Sequence, residues 1–258
     1  MALDRATIQP GPLFADRIKA AFTAQLRAIR DAASVGGLFL RLEEAGALLR
    51  INPAIRPTMY RCATVTNAEL EQLRGITDVV RMGHLLRIDA DKMVLDGGAI
   101  STDAKPLYVD CTADGAEKRS ATTPIFETGR ITLPSVRGCQ QIFSAALIAD
   151  VEAAYPDDTV KNRPCAPLPH PDTDLDWLRI ALADYRSQRR WLDDPDLTAW
   201  LSAARLDLFG HLMGHLLAPA SAKPRVRDRI LSMGKSVLSA TVAKRDQLMV
   251  DAASCNPS

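Results

Sequence analysis

A polar hexapeptide at the end of an apolar run is the first candidate for chemistry. The run begins at Pro106 and ends in Asp110, Cys111, Thr112, Ala113, Asp114 and Gly115. Small polar residues commonly follow a strand because they suit turns, which is the ordinary explanation of this stretch. The functional explanation is that small side chains let a cofactor approach the backbone, since ligands of open α/β sheets bind outside the strand ends. Both explanations stay open at this point.

His211 and His215 form an H-x-x-x-H pair in a stretch predicted to be helical. This spacing places two imidazoles on one helix face, where they can bind zinc. The metalloprotease motif needs a Glu directly after the first histidine, and Leu212 stands there. No third ligand is evident nearby. The sequence therefore favours an ordinary helix face and no metal site.

The composition excludes several classes of protein. The chain has 258 residues, 47% of them hydrophobic and 5% aromatic, with a net charge of +1. It can bury a large core, but it has no charge excess or aromatic platform for nucleic acid. The five cysteines are scattered without a C-x-x-C pair, which predicts reduced thiols. With neither a signal peptide nor a membrane-spanning stretch evident, we expect a cytoplasmic protein without nucleic-acid or membrane partners.

Local patterns predict the elements that would position these residues. Apolar residues at spacings of three and four indicate a helix from Leu13, and Thr66 with Glu69 forms a capping box. Residues 83–115 predict a meander of three short strands, the last being the apolar run before the hexapeptide. The final third of the chain is predicted to be helical, with a cap at Thr173 or Asp174.

These elements predict an α+β fold of the kind that derives from an α/β fold. A small β-meander sheet is packed with helices, and the C-terminal third is helical. We divide the chain into residues 1–155, a mixed region that contains the meander, and residues 156–258, a helical subdomain. The second region begins with a proline-rich, irregular crossing over residues 156–173.

The stretch from Gly83 to Gly115 resembles the segment before the ATG-type signature of two-dinucleotide-domain flavoproteins. The hexapeptide then stands where the ATG motif would. Further stretches at 4–10, 38–65 and 124–153, and the Trp-containing helices from residue 174, resemble an actinobacterial-type family of NAD(P)/FAD-dependent oxidoreductases. The chain departs from that family in lacking the N-terminal G-x-G-x-x-G Rossmann half that grips the pyrophosphate.

This resemblance implies FAD, and with it NAD(P), as cofactors. Cys111, Thr112 and Ala113 would occupy the ATG-like strand end. A second group would lie at the start of a predicted helix, where free N–H groups and the helix dipole suit an electron-rich ring edge or a phosphate. It consists of Arg137, Gly138, Gln140 and Gln141. An ordinary helix start with polar caps is the alternative for this second group.

The function implied is part of a flavin-dependent oxidoreductase that positions flavin and a small-molecule substrate for hydride transfer. No catalytic acid or base can be assigned from the sequence. One alternative is a non-catalytic helical interaction module, or a truncated fragment, that needs a separate dinucleotide-binding protein as partner. Another is a self-contained protein that binds a small molecule.

Overall fold

A computed structural model describes residues 2–9, 11–103, 105–111, 123–207 and 224–254. The chain divides into two compact units. Unit 1 comprises Met1–Leu70 and Lys118–Ser258, and unit 2 comprises Glu71–Glu117. The predicted division between residues 155 and 156 falls inside unit 1.

Helices dominate the described part of unit 1. They are α1 (Phe14–Asp31), α2 (Val35–Glu44), α3 (Asn67–Arg74), α4 (Gln141–Ala154), α5 (Asp158–Lys161), α6 (Asp174–Trp191), α7 (Pro195–Ala203) and α8 (Pro224–Ser254), with α3 continuing into unit 2. A short 3-10 helix spans Arg5–Thr7. The long helices α6 and α8 pack along one another, and α1 packs on both α2 and α8.

Two small sheets lie in the described part of unit 1. Strand β1 (Ala2–Asp4) lies between β2 (Leu48–Leu49), to which it is antiparallel, and β3 (Thr64–Val65), to which it is parallel. The strands β7 (Phe126–Glu127) and β8 (Arg130–Ile131) form a separate antiparallel hairpin. The predicted α+β class, with small sheets and packed helices, is therefore confirmed.

Helix caps follow the sequence signals closely. Glu69 Oε2 accepts a hydrogen bond from the backbone N–H of Thr66 at 2.7 Å, and the N–H of Glu69 donates to Thr66 Oγ1 at 3.2 Å. Thr173 and Asp176 form a second capping box at the start of α6. Such boxes satisfy N–H groups that have no partner inside the helix. Helix α2 ends at Glu44, and Gly46 turns the chain with φ of 68°.

The core of unit 1 consists of separate apolar clusters. One joins α1, α2 and β2 to α6 and α8, with Leu38 and Leu42 almost fully buried. Another packs the β7 strand against α4 and α7 around Trp191. The indole N–H of Trp191 donates to the carbonyl of Pro164 at 2.8 Å, which satisfies its one polar group. These clusters fix α6 between two cores, so its remaining face can border a cavity.

Unit 2 contains a three-stranded antiparallel meander. Its strands are β4 (Leu85–Ile88), β5 (Lys92–Leu95) and β6 (Gly98–Ser101). The prediction of a third strand over the apolar run after Pro106 was wrong for its described residues. Residues 105–111 form no strand, and Leu107 is 89% exposed. The run is apolar enough for a strand, but none of the described strands pairs with it, and Pro106 cannot donate a ladder hydrogen bond.

Candidate ligand-binding site

A cavity of about 230 Å³ lies inside unit 1, beside the start of β1. Its walls come from α1, α6, α8 and the segment that leads into α4. Ile18 and Phe22 of α1 and Ile180 of α6 contribute apolar surface. Ligand sites are typically apolar clefts with a few well-placed polar groups. In this cavity the charged side chains come from α6, from α8 and from the segment before α4.

One stripe of α6 supplies much of the wall. Trp177, Ala181, Asp184 and Gln188 follow one another at spacings of four, three and four residues and all line the cavity. Residues at these spacings share one face of an α-helix. Gln188 Nε2 donates to Asp184 Oδ2 at 3.2 Å, whereas the buried Oε1 of Gln188 has no hydrogen-bond partner. The stripe therefore combines an aromatic ring, a small residue and two polar groups.

Arg137 is buried against this stripe. Its Nη1 lies 3.3 Å from Asp184 Oδ1, and its Nε lies 3.5 Å from Asp207 Oδ1. Burial alone would lower the pKa of Arg137, but the two carboxylates outweigh it and raise that pKa. Burial also raises the pKa of Asp184, against the opposing effects of Arg137 and of the nearby Gly138 amide. This cation is thus neutralised by protein carboxylates.

Arg245 of α8 is buried in a different way. The residue is 1% exposed, and its Nε and Nη1 have no hydrogen-bond partner. The guanidinium carbon lies 4.7 Å from the ring centroid of Tyr185 and 5.6 Å from that of Trp177. Burial lowers the pKa of Arg245, which Tyr185 and Asp184 oppose, but arginine keeps its charge in proteins. A cation resting on two aromatic faces therefore lines the cavity.

A disulfide joins Cys62 to Cys139, and both residues line the cavity. The expectation of reduced thiols was wrong for this pair: 77 residues separate the two cysteines, so local spacing gave no sign that their Cα atoms lie 5.6 Å apart. Cys139 adopts a positive φ of 62°, a left-handed conformation that is uncommon outside glycine. Of the other described cysteines, burial raises the pKa of the Cys165 thiol to about 12, which makes it a poor nucleophile.

The same disulfide also borders a second cavity of about 620 Å³. Leu3, Ile8 and Gly138 line both cavities together with the two cysteines. Asp207 lies on the wall of the second cavity and contacts Arg137, which belongs to the first. The two cavities are therefore neighbours that share the segment from Gly138 to Cys139.

The predicted cofactor residues are distributed unevenly. Arg137 and Gly138 line the first cavity, and Gly138 and Gln140 line the second. Gln141, the first residue of α4, is exposed and lines neither. Cys111 is an exposed free cysteine of unit 2, outside any strand. Thr112 and Ala113, like His211 and His215, lie outside the described residues.

FAD sets two requirements for its site, enough space and groups that hold its diphosphate. The molecule joins a flavin, a diphosphate and an adenosine, and it is far larger than the first cavity. A diphosphate is usually held by backbone N–H groups of a glycine-rich turn. The described residues include no G-x-G-x-x-G turn. The described part of the chain therefore does not fit a complete FAD site.

Asp184, Gln188 and Arg245 are site residues that sequence analysis missed. Asp184 and Gln188 had a detectable signal, because they are polar residues on the same helical stripe as Trp177 and Ala181. Arg245 had none, since its position 57 residues after Gln188 gives no hint of the α6–α8 packing.

Within the described ranges, no group of three or more potential ligand residues could hold a metal ion. No described helix is both long and apolar enough to cross a membrane.

Three curated mycobacterial proteins are similar to this chain. They include the uncharacterized proteins Rv2000 of Mycobacterium tuberculosis and Mb2023 of Mycobacterium bovis. Each is 57% identical over 231 residues, which cover 90% of this chain and 42% of the relative. The chain thus spans less than half the length of the curated relatives it matches. No family model matches the chain, and no solved structure matches it.

Proposed function

We propose that unit 1 binds a small, largely apolar organic molecule in the cavity beside Trp177. The observation that carries this proposal is a concave wall that combines apolar side chains with buried polar atoms of Gln188 and Arg245 that have no hydrogen-bond partner among the described residues. Buried polar atoms without partners are rare in folded proteins because each costs free energy. A ligand that supplies the missing partners explains why such atoms line a cavity.

The size of the cavity sets the size of the ligand. A cavity of about 150 Å³ is enough for benzene in another protein. The volume of about 230 Å³ therefore suits a single ring or a short aliphatic chain that carries one polar group. Trp177, which is only partly buried, lies on the wall and gives the site its own optical signal.

Fluorescence titration tests this proposal. The probes are benzamide, benzoate, hexanamide and hexanoate, and the signal is the part of the tryptophan emission that Trp177→Phe removes. Ala181→Phe should abolish saturable binding because it places a ring in the cavity. Ala149→Phe is the matched control, since Ala149 is exposed on α4. Absence of saturable binding by all four probes, or equal binding by the Ala181→Phe variant, would refute the proposal.

A flavin-dependent oxidoreductase that uses FAD and NAD(P) stays a prediction. What supports it is that three of the seven predicted cofactor residues, Arg137, Gly138 and Gln140, lie on neighbouring cavity walls. Such an enzyme would need residues beyond those described, or a separate dinucleotide-binding protein. The test is the visible absorption spectrum after incubation with excess FAD and gel filtration. A retained flavin band would support the prediction, and a colourless chain would contradict it for this polypeptide alone.

A further inference from the structure

We propose that the ligand of the first cavity is a monoanion, a small apolar carboxylate, and that Arg245 binds its charged end. This inference rests on the proposed function and names its ligand class. Arg245 is 1% exposed, lines the cavity and has two guanidinium nitrogens without a hydrogen-bond partner. Among the described residues, no carboxylate oxygen lies within 4.0 Å of its guanidinium nitrogens.

The comparison with Arg137 shows what Arg245 lacks. Both arginines are buried and line the same cavity, but Arg137 contacts the carboxylates of Asp184 and Asp207. Arg245 instead lies over the faces of Tyr185 and Trp177. Cation–π attraction replaces part of the hydration that the guanidinium loses on burial, and it leaves the N–H donors unused. A carboxylate would supply both the opposite charge and the acceptors.

The charges on the wall favour a single negative charge on the ligand. Arg137, Arg245 and Asp184 are the charged residues that line the cavity. Arg137 is paired with Asp184 and Asp207, so Arg245 is the cation of this wall that has no carboxylate partner among the described residues. One carboxylate balances this charge. A doubly charged phosphate would exceed it and would be repelled by Asp184 and by Asp207 behind Arg137. The ligand class is therefore a monocarboxylate.

The remaining walls determine the other end of the ligand. Ile18, Phe22 and Ala181 line the cavity with apolar surface. Burying a ring or a short alkyl chain against them is favourable, whereas a second charge would lose its hydration there. Benzoate and hexanoate have the required shape, and their amides have nearly the same shape without the charge.

The test compares each acid with its amide. In the unchanged protein, we expect benzoate and hexanoate to bind about tenfold or more tightly than benzamide and hexanamide, because hydrogen bonds to charged partners are stronger. Arg245→Met keeps the length of the side chain but removes the charge, and it should abolish this preference. Arg179→Met removes an exposed arginine of α6 that does not line the cavity, and this variant should keep the preference.

The outcomes separate this inference from the proposed function. If acid and amide bind equally well, the cavity is a ligand site but the carboxylate inference is wrong. If the Arg245→Met variant keeps the preference for acids, the inference is wrong as well. If none of the four probes binds, the proposed function fails and the inference fails with it. The comparison in the unchanged protein holds even where the Arg245→Met variant does not fold.

Discussion

The carboxylate of Asp184 forms an ion pair with Arg137 and accepts a hydrogen bond from Gln188. Its Oδ1 lies 3.3 Å from Arg137 Nη1, and its Oδ2 accepts from Gln188 Nε2 at 3.2 Å. The carboxylate thus links the segment before α4 to α6. The side chains of Arg137 and Asp184 are only 7% and 18% exposed, so the pair is shielded from solvent.

Breaking this pair should cost much stability. Arg137→Met leaves the carboxylates of Asp184 and Asp207 without their buried cation, and we expect the free energy of unfolding to fall by about 3–5 kcal/mol. Urea denaturation measures the change. Arg186→Met is the control, because Arg186 pairs with Asp246 at the surface and should cost less than about 1 kcal/mol. Similar losses in the two variants would show that burial of the pair has no special role.

Removing the other buried arginine should have the opposite effect. Without ligand, Arg245→Met replaces a buried cation that has no carboxylate partner with an apolar side chain of similar length. We expect a gain of about 1 kcal/mol, or an increase in Tm of about 2–4 °C, measured by thermal unfolding. A lower Tm would show instead that the contacts with Tyr185 and Trp177 make Arg245 a structural residue.

The disulfide should stabilise unit 1 substantially. Replacing Cys62 and Cys139 together with serine frees the chain between them, and we expect a loss of about 2–4 kcal/mol in urea denaturation under oxidising conditions. Cys111→Ser is the control, because Cys111 is exposed and unpaired in the structure. Adding a dithiol reductant should destabilise the unchanged protein and leave the double variant unaffected. If the reductant destabilised the unchanged protein and the double variant equally, the Cys62–Cys139 bond would not be the source of the stability.

The capping box of α3 should make stability depend on acid pH. The N–H of Thr66, its hydroxyl and Arg5 hold the pKa of Glu69 below its usual value of 4.5. A carboxylate whose pKa is lowered on folding stabilises the protein above its unfolded pKa, and this contribution is lost as the pH falls through the folded value. The stability difference between the unchanged protein and Glu69→Gln should therefore shrink below pH 4.5 in urea titrations. A constant difference across that range would contradict this assignment.

Local features of the fold were predictable and long-range ones were not. The box at Thr66 needs only residues three positions apart, so the sequence alone located that helix start. For α6 the sequence left Thr173 and Asp174 as alternatives, and the N-cap is Thr173. Strand β1, by contrast, has three residues and pairs with strands more than 40 positions away. For the run after Pro106, the sequence predicted a strand that the structure lacks over residues 105–111. Apolar composition alone does not show whether a partner strand is available.

The candidate site follows the same rule. Arg137, Gly138 and Gln140 were predicted for a helix start, and the structure places them on cavity walls that the Cys62–Cys139 bond and α6 complete. Arg245 reaches its position only because α8 packs along α6. The sequence therefore singled out three residues that border these cavities, but not the cavity-lining groups of α6 and α8.

The Cys62–Cys139 bond also has a consequence for how this chain can change. The segment between the two cysteines contains all of unit 2, and the bond holds the Cα atoms on either side of that segment 5.6 Å apart within unit 1. Insertions are tolerated where the two ends of the inserted segment lie close together. In topological terms, unit 2 is carried on a covalently closed loop, so a change of length within unit 2 leaves the two cysteines that border the cavity joined to each other.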